Sequence, residues 1–134
     1  MTEPSALIQT IRDIVQRHHK MPTRLLQILR DVQDSLTWLP TAALNAVAEE
    51  LGIAPDKVRS VATFYSFLYT EPRGCYDILF SDNITDRMLG NRELLHYVAD
   101  RFGVPINGTR ADGRVSVGTT SCTGMCDQGP AALV

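Results

Sequence analysis

The sequence predicts an α/β protein: a helical bundle over residues 1–71, followed by a βαβ-type domain over residues 72–134. Three observations predict it. Apolar residues recur at helical spacing through the first half of the chain. Two short runs with strand character bracket one amphipathic helix in the second half. Between them, Glu71-Pro72-Arg73-Gly74 interrupts both patterns with turn residues.

The first helix is read from Leu7, Ile8, Ile11, Ile14 and Val15, which fall on one stripe, with Ser5 placed to cap its start. His18, His19 and Lys20 are expected in its last turn, where cations suit the helix dipole, with both histidines solvated. Pro22 then breaks the run. A second stripe follows in Leu25, Leu26, Ile28, Leu29, Val32 and Leu36, ending at Trp38-Leu39-Pro40. Thr41 to Leu51 is rich in strong helix formers, and Gly52 is a natural stop. A fourth helix opens at Pro55, which suits a first turn, and is expected to run through the aromatic stretch to Tyr69.

Tyr76 to Ser81 reads as a strand, followed by the polar turn Asp82-Asn83. Asn91 to Phe102 is a helix with Leu94, Leu95, Val98 and Phe102 on one face, ended by Gly103. Asp112-Gly113 introduces a second strand in which Val115 and Val117 alternate with polar residues. A loop of small residues runs from Thr119 to Pro130, and Ala131 starts another strand. That last strand is expected to lack a complete partner, as if the domain were cut short at its C-terminal end.

Composition narrows the function. With 134 residues, 44% of them hydrophobic and 21% charged, the chain has the make-up of a globular protein. A net charge of −2 argues against a nucleic-acid binder, which needs a basic face. Leu44 to Val61 does have a helix-turn-helix pattern, but Lys57 and Arg59 are the only bases it would bring to a groove. The uncharged stretch Ser60 to Thr70 is about half the ~20 residues a membrane span needs. The first residues carry no basic segment followed by an apolar run, so a cytoplasmic location is expected.

The informative chemistry is Cys122-Thr-Gly-Met-Cys126. Thiolates are soft ligands for zinc or iron–sulfur clusters, and two of them in a glycine-containing loop can reach one metal. The same spacing also suits two free thiols or a redox-active dithiol, although no Lys, Arg or His lies in the loop to lower a thiol pKa. Cys75 precedes the first strand and is a poor third ligand, and His96 reads as a surface residue of its helix. The motifs GxGxxG, GxxxxGK[ST] and HExxH do not occur, and no nucleophile–base pairing is recognisable.

Several stretches together resemble a known family. They are the L-x-x-I-L-x-x-V-Q run from Leu25 to Gln33, Leu39-Pro40, the V-x-x-V-A-T-F-Y run from Val58 to Tyr65, and C-x-G-x-C-x-x-G-P from Cys122 to Pro130. They are similar to the thioredoxin-like [2Fe-2S] subunit of NADH:quinone oxidoreductases. The likeness is greater still to the N-terminal domain of the diaphorase flavoprotein subunit of NAD-reducing hydrogenases.

The resemblance implies a thioredoxin-like fold for the second half and a role in electron transfer. It also implies a [2Fe-2S] cluster held by two cysteine pairs, with FMN and NAD on a neighbouring flavoprotein domain or subunit. Hydrogenase or NADH dehydrogenase subunits would be the partners. Cys122 and Cys126 match the second cysteine pair. The register of the first pair falls on Ser81 and Asp86, in the stretch SDNITD, and both are harder ligands than thiolate. Two functional readings follow. In the first, Cys122, Cys126, Ser81 and Asp86 hold a cluster beside the flavin. In the second, the domain is a cluster-less docking scaffold, with the aromatic stretch Phe64 to Tyr69 as one contact surface.

Overall fold

The structure is a computed structural model that describes residues 4–134. The chain divides into two compact units, one ending at Pro72 and one beginning at Arg73.

The first unit holds four helices: α1 (Pro4–Arg17), α2 (Leu25–Leu36), α3 (Thr41–Leu51) and α4 (Pro55–Phe64), with a 3-10 turn at Pro22–Arg24 ahead of α2. Ile11, Ile14 and Val15 of α1 meet Ile28, Leu29 and Val32 of α2 and Val47 of α3 in a fully buried core. Ile8, counted on the α1 stripe, is instead exposed. Ser5 lies within α1 and does not cap it. The helix also ends before His18, because His19 and Lys20 take left-handed φ values of 57° and 52°. His18 is not solvated: its Nε2 lies 2.8 Å from Asp31 Oδ2. Gly52 ends α3 with a φ of 65°, a conformation that only glycine adopts without strain.

Helix α4 stops five residues short of the expected Tyr69. Tyr65 is already extended, with φ −90° and ψ 120°. Gln33 on α2 is the reason. Its Nε2 donates to the Phe67 carbonyl at 2.9 Å, and its Oε1 accepts from the Tyr69 amide at 2.6 Å. Leu39 N–H then takes the Tyr69 carbonyl at 2.7 Å. One carboxamide thus supplies both backbone partners that a continued helix would have supplied. Leu68 is buried in the core, while Phe64 and Phe67 are exposed.

The second unit is a four-stranded mixed sheet in the order β2-β3-β1-β4. The strands are β1 (Tyr76–Ser81), β2 (Gly108–Thr109), β3 (Val115–Thr120) and β4 (Ala132–Leu133). Strands β1 and β3 run parallel and pair residue for residue, from Tyr76 with Val115 to Ser81 with Thr120. Helix α6 (Asn91–Phe102) makes the crossover and packs on both. Its Leu95 and Ala99 join Phe80, Val115 and Val117 in the core, whereas Leu94 and Phe102 are exposed rather than buried. Three elements of this unit lie outside the sequence reading: β2, the short helix α5 (Ile84–Met88) and a 3-10 turn at Cys126–Gln128. Strand β4 does have a partner, pairing antiparallel with β1 at Leu79–Leu133 and Phe80–Ala132.

Gly74 sits where a Cβ would lie 2.7 Å from the Val115 nitrogen, so only glycine lets the chain enter β1 this close to β3. Its N–H donates to the buried Ser116 hydroxyl at 2.7 Å, and that hydroxyl also meets Thr109 Oγ1 at 2.8 Å. The turn before β3 is held by Asp112, which accepts from Arg110 through both oxygens, at 2.9 and 2.6 Å, and from the Arg114 amide at 3.0 Å.

Two predictions follow from these contacts. Gln33→Ala leaves the Phe67 carbonyl and the Tyr69 amide without their partner. It should lower stability by about 1–3 kcal/mol in urea unfolding and speed exchange of the Tyr69 amide. Asp112 is drawn down from its ordinary 3.8 to about 2, first by the Arg110 hydrogen bonds and then by the Arg114 amide. A depressed carboxyl stabilises the fold above its ordinary pKa and loses that contribution as pH falls through about 2. Carboxyl-carbon NMR should therefore place the Asp112 midpoint well below the ordinary aspartate value of 3.8, and Arg110→Gln should raise it.

Candidate metal centre

The parallel register positions this centre. Because Ser81 pairs with Thr120, β1 and β3 end side by side, and the Cys122–Cys126 loop leaves from beside Ser81. Crevices beyond the carboxyl ends of parallel strands are where α/β sheets commonly hold their ligands.

Cys122 Sγ and Cys126 Sγ lie 3.1 Å apart, and both residues are unbridged. Gly124, at a φ of 79°, turns the loop so that its own N–H donates to Cys122 Sγ at 3.3 Å. The adjacent Thr123 amide donates to Ser81 Oγ at 3.3 Å, joining the cysteine loop to the end of β1. Cys122 is held below its ordinary pKa, chiefly by the hydrogen bond from Cys126 and next by the Gly124 amide. Cys126 is pushed up, chiefly because it gives that hydrogen bond. The sequence offered no cation to lower a thiol pKa; here a neighbouring thiol and a backbone amide do so.

Ser81 and Asp86 are each only 1% exposed. Ser81 ends β1, with its N–H donating to the Ala131 carbonyl and its own carbonyl accepting from Asn91. Asp86 is on α5, the helix missed in the sequence, whose N-cap is Asn83. Asn83 Oδ1 accepts from the Asp86 amide at 2.9 Å, a side-chain cap for α5. Asn-x-x-Asp has the spacing of a capping box, but its return bond is absent: neither oxygen of Asp86 has a hydrogen-bond partner. Gly129 closes over this carboxyl, since a Cβ there would stand 2.9 Å from Asp86 Oδ1. Asn83 also reaches the thiols, its Nδ2 donating to Cys126 Sγ at 3.3 Å.

All four residues singled out in the sequence therefore lie at one end of the sheet. Cys75, by contrast, sits at the opposite end of β1, exposed and unbridged. His96 is exposed on α6. Asn83, read only as part of a turn, is the member that sequence reasoning missed; Gly129 was legible as the glycine of the C-x-G-x-C-x-x-G-P run. The N-x-x-D spacing was the one local signal for Asn83.

The donor set can be weighed against a binuclear iron–sulfur group. Among the described residues, no three of His, Cys, Asp and Glu come together tightly enough to hold a single metal ion. A two-metal group makes a different demand: one donor pair at each end. The Cys122–Cys126 thiols offer one such pair, and Ser81 and Asp86, both buried at the same end of the sheet, are the oxygen groups available for the other; iron accepts both sulfur and oxygen ligands. The buried carboxyl without a partner is also the kind of group that a cation would satisfy. The residues fit.

Fold and site together define a small α/β domain, a sheet with paired thiols at the carboxyl ends of its parallel strands. Residues 11–134 match the model of the thioredoxin-like [2Fe-2S] ferredoxin family, and the chain belongs to that family. The match spans the helical unit as well as the sheet.

The chain is 31% identical over 137 residues to the E subunit of NADH-quinone oxidoreductase from Pseudomonas aeruginosa, covering 99% of this chain and 82% of that protein. The same protein of Escherichia coli K12 gives the same figures. It is 30% identical over 124 residues to the alpha subunit of the NAD-reducing hydrogenase HoxS of Cupriavidus necator, covering 92% of this chain but 21% of that protein. A crystal structure of an NAD+-reducing [NiFe]-hydrogenase in the air-oxidized state superposes with a TM-score of 0.72 at 31% identity. That match covers 82% of this chain and 19% of the hydrogenase chain, so this chain spans about a fifth of its length. No helix among the described residues is long and apolar enough to cross a membrane.

The unpartnered carboxyl gives a direct test in metal-free protein. Asp86→Leu keeps the branching and removes the unmet polar group. It should raise stability by about 1–3 kcal/mol in urea unfolding. Equal or lower stability would mean that the carboxyl is already satisfied.

Proposed function

We propose that this chain is an electron-transfer domain of an NAD(H)-linked oxidoreductase complex, of the NADH dehydrogenase or NAD-reducing hydrogenase type. In this reading it holds a [2Fe-2S] cluster near the flavin of a neighbouring flavoprotein domain or subunit. Cys122 and Cys126 would hold one iron, and Ser81 and Asp86 the other. FMN and NAD would reside on the neighbour, and the complex would work on the cytoplasmic NAD(H) pool. The helical bundle and the sheet domain would serve as two parts of one carrier. The carrying observation is the buried Asp86 carboxyl, with neither oxygen partnered, at the same end of the sheet as the thiol pair.

When bound, a [2Fe-2S] cluster accepts and returns one electron. The chain's own residues do the rest. Cys122 and Cys126 would hold the metal as thiolates, and the lowered pKa of Cys122 favours its deprotonation. Ser81 would hold the metal through its side-chain oxygen, and its burial at 1% exposure keeps water from competing there. The Gly124 amide donates toward Cys122 Sγ and so favours added negative charge on that sulfur. Gly129 keeps Asp86 covered.

A second reading is a cluster-less docking scaffold for the flavoprotein and its partner subunits. It is favoured by one observation: oxygen donors, Ser81 and Asp86, where the family has its first thiol pair. Chemical analysis separates the two. Anaerobically purified or reconstituted protein should contain about two irons and two acid-labile sulfides per chain. It should also give a paramagnetic signal after dithionite reduction. Cys122→Ser and Cys126→Ser should each lose the iron. Absence of iron after reconstitution would overturn the carrier reading and leave the scaffold.

A further inference from the structure

The Asn83 side chain hydrogen-bonds to one residue of each donor pair, to the Asp86 backbone amide and to the Cys126 sulfur, and its orientation is fixed. The Asp86 backbone N–H can only donate, so the carboxamide atom 2.9 Å from it must be the oxygen. The nitrogen is then the atom 3.3 Å from Cys126 Sγ. Resting on the carrier reading above, we propose that Asn83 is a positioning residue that couples the two halves of the centre. Its oxygen holds the first turn of α5, and with it Asp86; its N–H donates to the Cys126 sulfur and favours the reduced state of the bound group.

The two roles use different atoms of one planar group. Amide geometry sets the spacing between α5 and the Cys126 sulfur, so a displacement of either donor pair is felt by the other. α5 is only five residues long and has no periodic apolar face of its own, so the cap is a large part of what holds it. An N–H donor stabilises a sulfur more as that sulfur gains negative charge, which is the change that reduction brings. No signal outside the N-x-x-D spacing marks Asn83 in the sequence, and the matched family motif assigns it nothing.

Three variants separate the atoms. Asn83→Ser keeps an oxygen acceptor for the Asp86 amide and removes the donor to sulfur. Asn83→Asp keeps the acceptor and turns an oxygen toward the sulfur. Asn83→Ala removes both. The redox midpoint of reconstituted protein, followed by paramagnetic resonance, should fall in all three. For Ser the expected change is about tenfold in the oxidised-to-reduced ratio, which is 59 mV for one electron, with a larger fall for Asp.

The cap is read separately in iron-free protein by hydrogen exchange of the Asp86 amide. Exchange should accelerate about tenfold in Asn83→Ala and stay near the wild-type rate in Ser and Asp. A merely structural residue would leave the Ser and Asp midpoints at the wild-type value, and that result would overturn the sulfur role. Unchanged Asp86 exchange in Asn83→Ala would overturn the cap. Wild-type protein that takes up no iron would overturn the carrier reading itself and this inference with it. Iron-loaded wild type with unmoved variants would overturn this inference alone.

Discussion

The parallel pairing of β1 with β3 is the constraint on which the second unit depends. Six consecutive pairs, from Tyr76–Val115 to Ser81–Thr120, leave no freedom in where the two strands end. A slip of one residue would turn Phe80 and Val117 out of the core and carry Ser81 to the other face of the sheet. Parallel strands need a crossover, and α6 supplies it while covering one face with Leu95 and Ala99. The register is guarded at its start by Gly74, whose missing side chain lets it lie against the Val115 backbone. Site geometry is therefore a consequence of sheet geometry: Ser81 meets the Thr123 amide because of where β1 and β3 were made to stop.

The helical unit is organised by a different kind of contact. Its core of aliphatic side chains sets which helix faces meet, but apolar burial is not directional and does not say where a helix should end. Hydrogen bonds do. Gln33 takes the Phe67 carbonyl and the Tyr69 amide, and the chain leaves α4 at Tyr65 to reach them. The loss of helical bonds in residues 65–69 is offset by that carboxamide and by Leu39.

The same distinction explains how much was legible in the sequence. Helices α3 and α6 were placed correctly at both ends because their signals are local: apolar periodicity within, and a left-handed glycine, Gly52 or Gly103, at the exit. Strand β3 was legible from the alternation of Val115 and Val117, and β1 as a short run closed by the polar turn Asp82-Asn83. The end of α4 was not, because its cause lies more than thirty residues away on α2. Helix α5 was missed because five residues show no period, and β2 because two residues show no alternation. At the site, the thiols could be read from their spacing. Ser81 and Asp86 were reached only through the register of a family motif, since a lone serine and a lone aspartate carry no pattern of their own. Asn83 was hidden for a further reason: each of its two bonds depends on the partner that folding delivers to it.

The four residues of the proposed centre also differ in how the fold treats them. Cys122 is exposed, and a thiol bears exposure at little cost. Ser81 and Asp86 are buried, where a polar group is tolerated only if something answers it. Ser116, equally buried on the neighbouring strand, shows the usual solution, with both the Gly74 amide and Thr109 against its hydroxyl. Asp86 has no such arrangement, although its own backbone amide is capped and its helix is well formed. Protein atoms have satisfied the main chain of α5 and left its one buried carboxyl open. It lies beside a glycine that cannot be enlarged and at the same end of the sheet as two thiols. A fold under pressure only to be stable would have an apolar side chain there; in the proposed centre the carboxyl would be one half of a coordination site whose other half would be the cysteine loop.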